Sequence, residues 1–319
     1  MANETSQTSE QRVVRIAELP SEDTLTIRES CFFKNNQVDL LTPDEVRRKD
    51  RELNGDFRPR SYRLPVTFEE LGLIVKYGFD ITVAEAQCLW YFNKHMKGEV
   101  PTPELFGWCV DDGQTFIFME LIPGQTLEEA WPSLSEEHRL SVCEQLRKCV
   151  EAWRALRQES EPYYVGHIGR QGVGDTIFLD AGDPSPGPFA NLTAFHDFYA
   201  RYACRSHPEW NPRRDFPELA GLTDDRSVVF THADLCMRNI MVSSPDEGNS
   251  GLTPTVLAVL DWHQSGWYPA DWEWLKAQGM CEPLGGGRRD TAWLERVVPR
   301  ADEGYAYAWE YVTNCLGWG

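Results

Sequence analysis

Apolar residues come in short β-branched runs up to about residue 122, and beyond it they recur mostly at helical spacing. In the first part RVVRI (12–16) reads as a short strand. SYRLPVTF (61–68) and LIVKYG (73–78) read as a hairpin turning through Glu69, Glu70, Leu71 and Gly72, and PTPELFGWCV and QTFIFMELIPG supply two more strands, the second stopped by Pro123-Gly124. Two helices interrupt them. TPDEVRRKDRE (42–52) has Thr42 as cap and Pro43 at its first position; TVAEAQCLWYFNKHM (82–96) has Thr82 and Glu85 in capping-box spacing.

In the second part SEEHRLSVCEQLRKCVEAWRALR (135–157) places Leu140, Cys143, Leu146, Val150, Trp153 and Leu156 on one stripe, as a helix packed on a core does. A Gly/Pro-rich loop over about 166–188 precedes a helical stretch near 191–205, and TVLAVLDW (255–262) reads as a buried strand that ends in an acid. No internal repeat is present, so the two parts are not duplicates.

At 319 residues, 41% hydrophobic and 25% charged, the chain describes an ordered globular protein of one large or two modest domains, with room for a cleft between them. A formal net charge of −19 without a basic run argues against nucleic acid. An acidic field favours a cationic small molecule near a cleft, with solubility as the plainer account of the charge. Nine cysteines, an odd number without zinc spacing, read as reduced thiols. MANETSQTSEQ lacks the apolar stretch of a signal peptide and no run approaches membrane-spanning length, so a cytoplasmic protein with no membrane partner is expected.

Candidate chemistry concentrates in FTHADLCMRNIMV (230–242), where an acid and an amide occupy the short gap between two buried segments. An ionisable side chain held there must be paired, metal-bound or chemically employed. Phosphoryl transfer needs few protein groups: a strand lysine for the phosphates, an Asp in H-x-D-x-x-x-x-N for the acceptor hydroxyl, that motif's Asn on metal, and a later strand-end Asp on metal. Lys76, Asp234, Asn239 and Asp261 follow in that order. Each has a plainer reading by itself. Asp234 makes an Asx turn, Asp261 and Asn239 are turn residues, Lys76 snorkels from a strand edge, the capping box explains Glu85, and His232 is a core histidine bonding a loop carbonyl.

VKYG (75–78), FMELIPGQTLEEAWPSLSEE (118–137), THADLCMRNIMV and LDWHQSGWYPADWEW (260–274) together resemble the aminoglycoside phosphotransferase and choline kinase-like small-molecule kinases, most closely their fungal-type branch. The resemblance spans residues 60 to about 285. It implies an α+β, two-lobed protein kinase-like fold: an N-terminal extension (1–60), a small antiparallel-sheet lobe ending in a hinge (61–122), and a larger helical lobe (123–319). It also implies ATP and Mg²⁺ as cofactors and a small-molecule hydroxyl as acceptor. Lys76 contacts the nucleotide phosphates with Glu85 as partner, and the backbone from Glu120 to Ile122 receives adenine. Asp234 orients or deprotonates the acceptor, His232 braces the loop, and Asn239 and Asp261 hold the metal.

Three loop positions depart from that pattern: Ala233, Cys236 and Met237 replace the usual Gly, His and Pro. His263 and Gln264 follow Asp261-Trp262 where D-W-E-F is familiar, so a carboxylate is lost. Without a G-x-G-x-x-G, phosphate clamping is expected from the 61–72 hairpin. The altered loop leaves open a nucleotide-binding pseudokinase, or a kinase-fold enzyme recruited to other chemistry. The aromatics from Trp267 to Trp274 and Tyr305 to Tyr311, with Asp271 or Glu273, read either as a cation-accepting cage or as ordinary packing.

Overall fold

The computed structural model describes residues 12–55, 64–159, 161–178, 185–204, 207, 209–243, 253–280 and 292–316. The elements, in chain order, are β1 (Val13–Val14), β2 (Thr24–Thr26), α1 (Cys31–Asn36), α2 (Pro43–Asn54), β3 (Val66–Phe68), β4 (Leu73–Gly78), α3 (Val83–His95), β5 (Leu105–Asp111) and β6 (Gln114–Glu120). Then come β7 (Gln125–Thr126), α4 (Leu127–Ala130), α5 (Glu136–Arg154), β8 (Arg157–Gln158), α6 (Leu192–Ala200), α7 (Pro212–Asp215), β9 (Val228–Thr231), β10 (Ile240–Val242), β11 (Val256–Val259), β12 (Gly266–Pro269), α8 (Trp272–Met280), α9 (Leu294–Val297) and α10 (Glu303–Leu316). A small antiparallel-sheet part and a larger, mostly helical part make up the expected two-lobed α+β architecture.

The sheet runs β2-β5-β6-β4-β3, all neighbours antiparallel. Its two faces follow from the period of two along a strand. In β4, Val75 and Tyr77 join Val46, Phe32 and Phe118 in a cluster under α1 and α2. Ile74 and Lys76 therefore face the other side, where α3 packs through Leu89 and Phe92. That alternation aims Lys76 at α3 and the cleft. Helix α2 has the expected capping box, with Thr42 and Glu45 bonded reciprocally and Pro43 at the first position.

The Phe92 ring of α3 lies tilted against Trp262 at 4.4 Å between centroids, and Trp262 meets Trp153 of α5 edge-on at 5.3 Å. Both lobes thus share one continuous core. Below it, β9 pairs with β12, and β10 lies between β11 and β7. RVVRI forms the expected short strand at Val13 and Val14, which pairs in parallel with Arg157 and Gln158. One expectation changes. Leu140, assigned to the buried stripe of α5, is 40% exposed, because it sits on the first turns before the helix reaches its neighbours. Trp267, Tyr268, Trp272, Trp274 and Tyr305 are buried in the core, with Tyr268 stacked on Trp272, whereas Tyr307 is 59% exposed, so packing is the role of the buried five. No helix among the described residues is long and apolar enough to cross a membrane.

Candidate functional site

Between the sheet and the helical part lies a cavity of about 300 Å³, lined by Lys76, Glu85, Met119, Glu120, Leu121, Ile122, Asn239 and Asp261 among others. That is at the lower end of the range in which small-molecule pockets fall. Lys76 Nζ donates to Glu85 Oε1 at 2.9 Å and to Asp261 Oδ1 at 2.6 Å. Burial works against the lysine charge, but Glu85 and Asp261 outweigh it and hold the ammonium above its ordinary pKa. Burial likewise opposes the Asp261 charge, and the Lys76 ammonium overrides it, leaving the carboxyl at about 2.

Glu85 corrects the capping-box reading. Thr82 is the N-cap of α3 yet makes no side-chain cap bond. The Glu85 carboxylate turns inward instead, 1% exposed, to meet Lys76. A buried ion pair recovers more from this carboxylate than one bond to a helix terminus, and burial pushes its pKa up.

The 232–239 loop is held by its own polar groups. Asn239 Nδ2 donates to both the carbonyl and Oδ2 of Asp234, each at 2.9 Å. Asp234 Oδ1 is buried and has no hydrogen-bond partner among the described residues. Burial, with the nearby Asp261 charge, raises the Asp234 carboxyl to about 6, against the pull of Lys276 and Asn239. His232 is fully buried; its Nδ1 accepts from the Asp234 amide at 3.2 Å and its Nε2 lies 2.8 Å from the Leu260 carbonyl. Only the neutral Nε2–H tautomer satisfies both contacts. Burial keeps the ring neutral by lowering its pKa to about 4. The loop is thereby tied to the segment that delivers Asp261, whose backbone adopts the left-handed conformation at φ 59.

At the end of β6, the Leu121 amide donates to Gly72 O and the Glu120 amide to Glu104 O, both at 2.9 Å. The Glu120 carbonyl and the Ile122 amide are the flanking backbone groups. The same bond places one end of the hairpin expected to clamp phosphate: Gly72 sits beside Leu121, so the Glu69–Gly72 turn lies at the Glu120–Ile122 end of the sheet, and Pro65 of the same hairpin lines the cavity. Residues 61–63 of that stretch lie outside the described residues.

The profile of the phosphotransferase enzyme family matches residues 82–311. The chain belongs to that family. The matched span carries Glu85, Glu120, Ile122, His232, Asp234, Asn239 and Asp261, with Lys76 just ahead of it. No curated protein matches the sequence. Solved structures similar to this phosphotransferase include an aminoglycoside-3′-phosphotransferase of type VIII, at 16% identity over 76% of this chain and 84% of the other, with a TM-score of 0.46. An aminoglycoside phosphotransferase of Streptomyces rimosus in complex with ADP and streptomycin is 15% identical over 88% of this chain and 100% of that one, TM-score 0.43. A streptomycin–ATP ternary complex of another aminoglycoside phosphotransferase gives 11%, 86%, 87% and 0.47.

In this phosphotransferase one bracing residue escaped the sequence reading. Glu273, fully buried on α8, accepts from the His232 amide at 2.7 Å and the Ala233 amide at 3.0 Å. Ala233 stands at φ 62, a left-handed position that explains the usual glycine there. Glu273 looked like an acid among core tryptophans, and nothing in its neighbourhood pointed to a loop forty positions away. Cys236 is buried within the loop, and the described cysteines are all free thiols.

Proposed function

We propose that this phosphotransferase moves the γ-phosphoryl group of ATP, with Mg²⁺, to a hydroxyl of a small molecule. One observation carries the reading: Lys76, Glu85, Asn239 and Asp261, scattered over 185 positions, line one cavity, and Asn239 bonds directly to Asp234. The donor set fits the cofactors. Asn239 commits its Nδ2 to Asp234, which leaves its amide oxygen as the atom able to ligate a cation. With an oxygen of Asp261 that makes two hard ligands, the sparse protein share typical of a magnesium ion that also takes phosphate oxygens. Bound there, the ion would neutralise charge developing on the phosphates.

Lys76, held by Glu85, orients the phosphates; the backbone of Glu120 and Ile122 pairs with adenine. His232 and Glu273 fix the loop so that the unpartnered Oδ1 of Asp234 faces the acceptor hydroxyl and takes its proton as the phosphoryl group leaves ADP. The net charge of −19 favours a cationic acceptor, in a cytoplasmic setting. A panel of hydroxylated small molecules, cationic ones included, incubated with Mg-ATP and read by mass spectrometry, tests the reading. ATP-dependent gain of one phosphoryl group, abolished by EDTA and by Asp234→Asn, is expected. Mg-ATP binding without any acceptor phosphorylated across the panel would replace it with a nucleotide-binding regulator.

A further inference from the structure

Two buried polar atoms face each other without partners in the cleft. Glu85 uses Oε1 for Lys76, and its Oε2 has no hydrogen bond; His263 Nδ1 has none either, and the two stand 3.9 Å apart. Side-chain exposure is 2% for Glu85 and 17% for His263, so water is a poor substitute for either partner. A buried acceptor left unsatisfied is costly, and a sub-ångström rotation would close this gap.

Both side chains stand on rigid elements. His263 belongs to the short turn Trp262–Gln264 that follows Asp261. Trp262 Nε1 donates to Val259 O at 2.9 Å and Ser265 Oγ to Trp262 O at 2.6 Å. Gln264 Oε1 accepts from the amide and hydroxyl of Thr176, both at 3.1 Å, and from Lys276 at 3.0 Å. Gly174 packs so tightly on this turn that a Cβ would lie 2.6 Å from the His263 carbonyl. Glu85 is on the first turn of α3, packed against the same turn. The D-W-E-F pattern would put a carboxylate at 263, which as an anion cannot donate; the imidazole can.

We propose that His263 is a positioning residue for the Lys76–Glu85 pair: its Nδ1–H donates to Glu85 Oε2, fixing the second carboxylate oxygen and hence the ammonium. The consequence for nucleotide rests on the function proposed for Lys76; the hydrogen bond itself does not. A neutral imidazole carries its one proton on either ring nitrogen, so Nδ1 can be the donor here.

The test compares His263→Asn, whose side-chain amide keeps a donor close to the Nδ1 position, with His263→Ala, which has none. Urea denaturation without nucleotide and Mg-ATP binding by calorimetry are measured for each, in the wild-type and Glu85→Ala backgrounds. The Asn variant is expected to bind Mg-ATP within about twofold of wild type and the Ala variant about tenfold more weakly, the scale of one charge-assisted hydrogen bond. The urea midpoints follow the same order, and the gap between Asn and Ala closes once Glu85 is gone. A gap that persists without Glu85, or an Asn variant no better than Ala, overturns the proposal. If wild type binds no Mg-ATP, the nucleotide role of Lys76 falls while the urea series still decides the pair. Should Glu85→Ala not fold, imidazole NMR of wild type decides: a protected Nδ1 proton on His263 supports the bond, and an Nε2-protonated ring excludes it.

Discussion

Lys76 Nζ lies 2.6 Å from Asp261 Oδ1, although 185 positions separate the two residues. The contact joins the sheet to the strand end of the other lobe, and Glu85 completes a three-membered ionic cluster. In the proposed reaction Asp261 gives its oxygens to the metal and Lys76 its ammonium to the phosphates, so the nucleotide replaces this pair by contacts of the same sign.

Removing the cation alone exposes the imbalance. Lys76→Met leaves Glu85 buried without a counter-ion, which costs on the order of 3 kcal/mol. Urea denaturation should show that loss, and Mg-ATP affinity should fall with it. Unchanged stability would mean that Glu85 is held neutral by other means.

Asp234→Asn keeps the shape and an acceptor for Asn239 but removes the base. Turnover of an identified acceptor should drop by about 10²–10⁴-fold, the usual worth of general-base catalysis, while the Kd for Mg-ATP stays unchanged. Full activity in this variant contradicts the assignment.

Glu273 predicts a pH signature. Burial raises its carboxyl from 4.5 to about 7, against the pull of the His232 amide and Arg154. The folded protein therefore holds a proton here that the unfolded chain has released, between about pH 4.5 and 7. This contribution to stability is complete below that window and is lost as pH rises through it, on the order of 3 kcal/mol in all. Histidines held neutral by burial, such as His232, act in the opposite direction on acidification. The difference between wild type and Glu273→Gln, measured by denaturation from pH 4.5 to 8, isolates the Glu273 share. It should narrow steadily toward alkaline pH, and a flat difference rules the assignment out.

Ala233→Gly should stabilise slightly. The left-handed backbone costs alanine about 1–2 kcal/mol, and the extra freedom of glycine in the unfolded chain returns about half of that. A gain of under about 1 kcal/mol is expected in thermal or urea unfolding, with the Glu273 contacts intact.

Local elements were legible because their causes are local. The Thr42-Pro43 start of α2, the β4 run around Lys76 and the order β5, β6 all follow from caps, turns and a period of two. The Asp234-to-Asn239 spacing was readable for the same reason, since both residues sit on one short loop. Thr82 misled because a capping box and a buried ion pair share one sequence signature. Only the depth at which Glu85 sits separates them. A hairpin's sequence does not say which of its ends meets the cavity, and only the structure put Pro65 there and the Glu69–Gly72 turn beside Leu121.

By itself the sequence determined which residue types were present to do chemistry and on what kind of element each would stand, because periodicity, capping and turn propensity act over a few residues. Tertiary structure alone decided which of them meet. Glu273 reaching the His232 and Ala233 amides, Lys76 closing on Asp261, and His263 coming to face Glu85 all depend on how helices and sheet pack. Packing is set by the summed burial of many side chains, and no short stretch of chain encodes it.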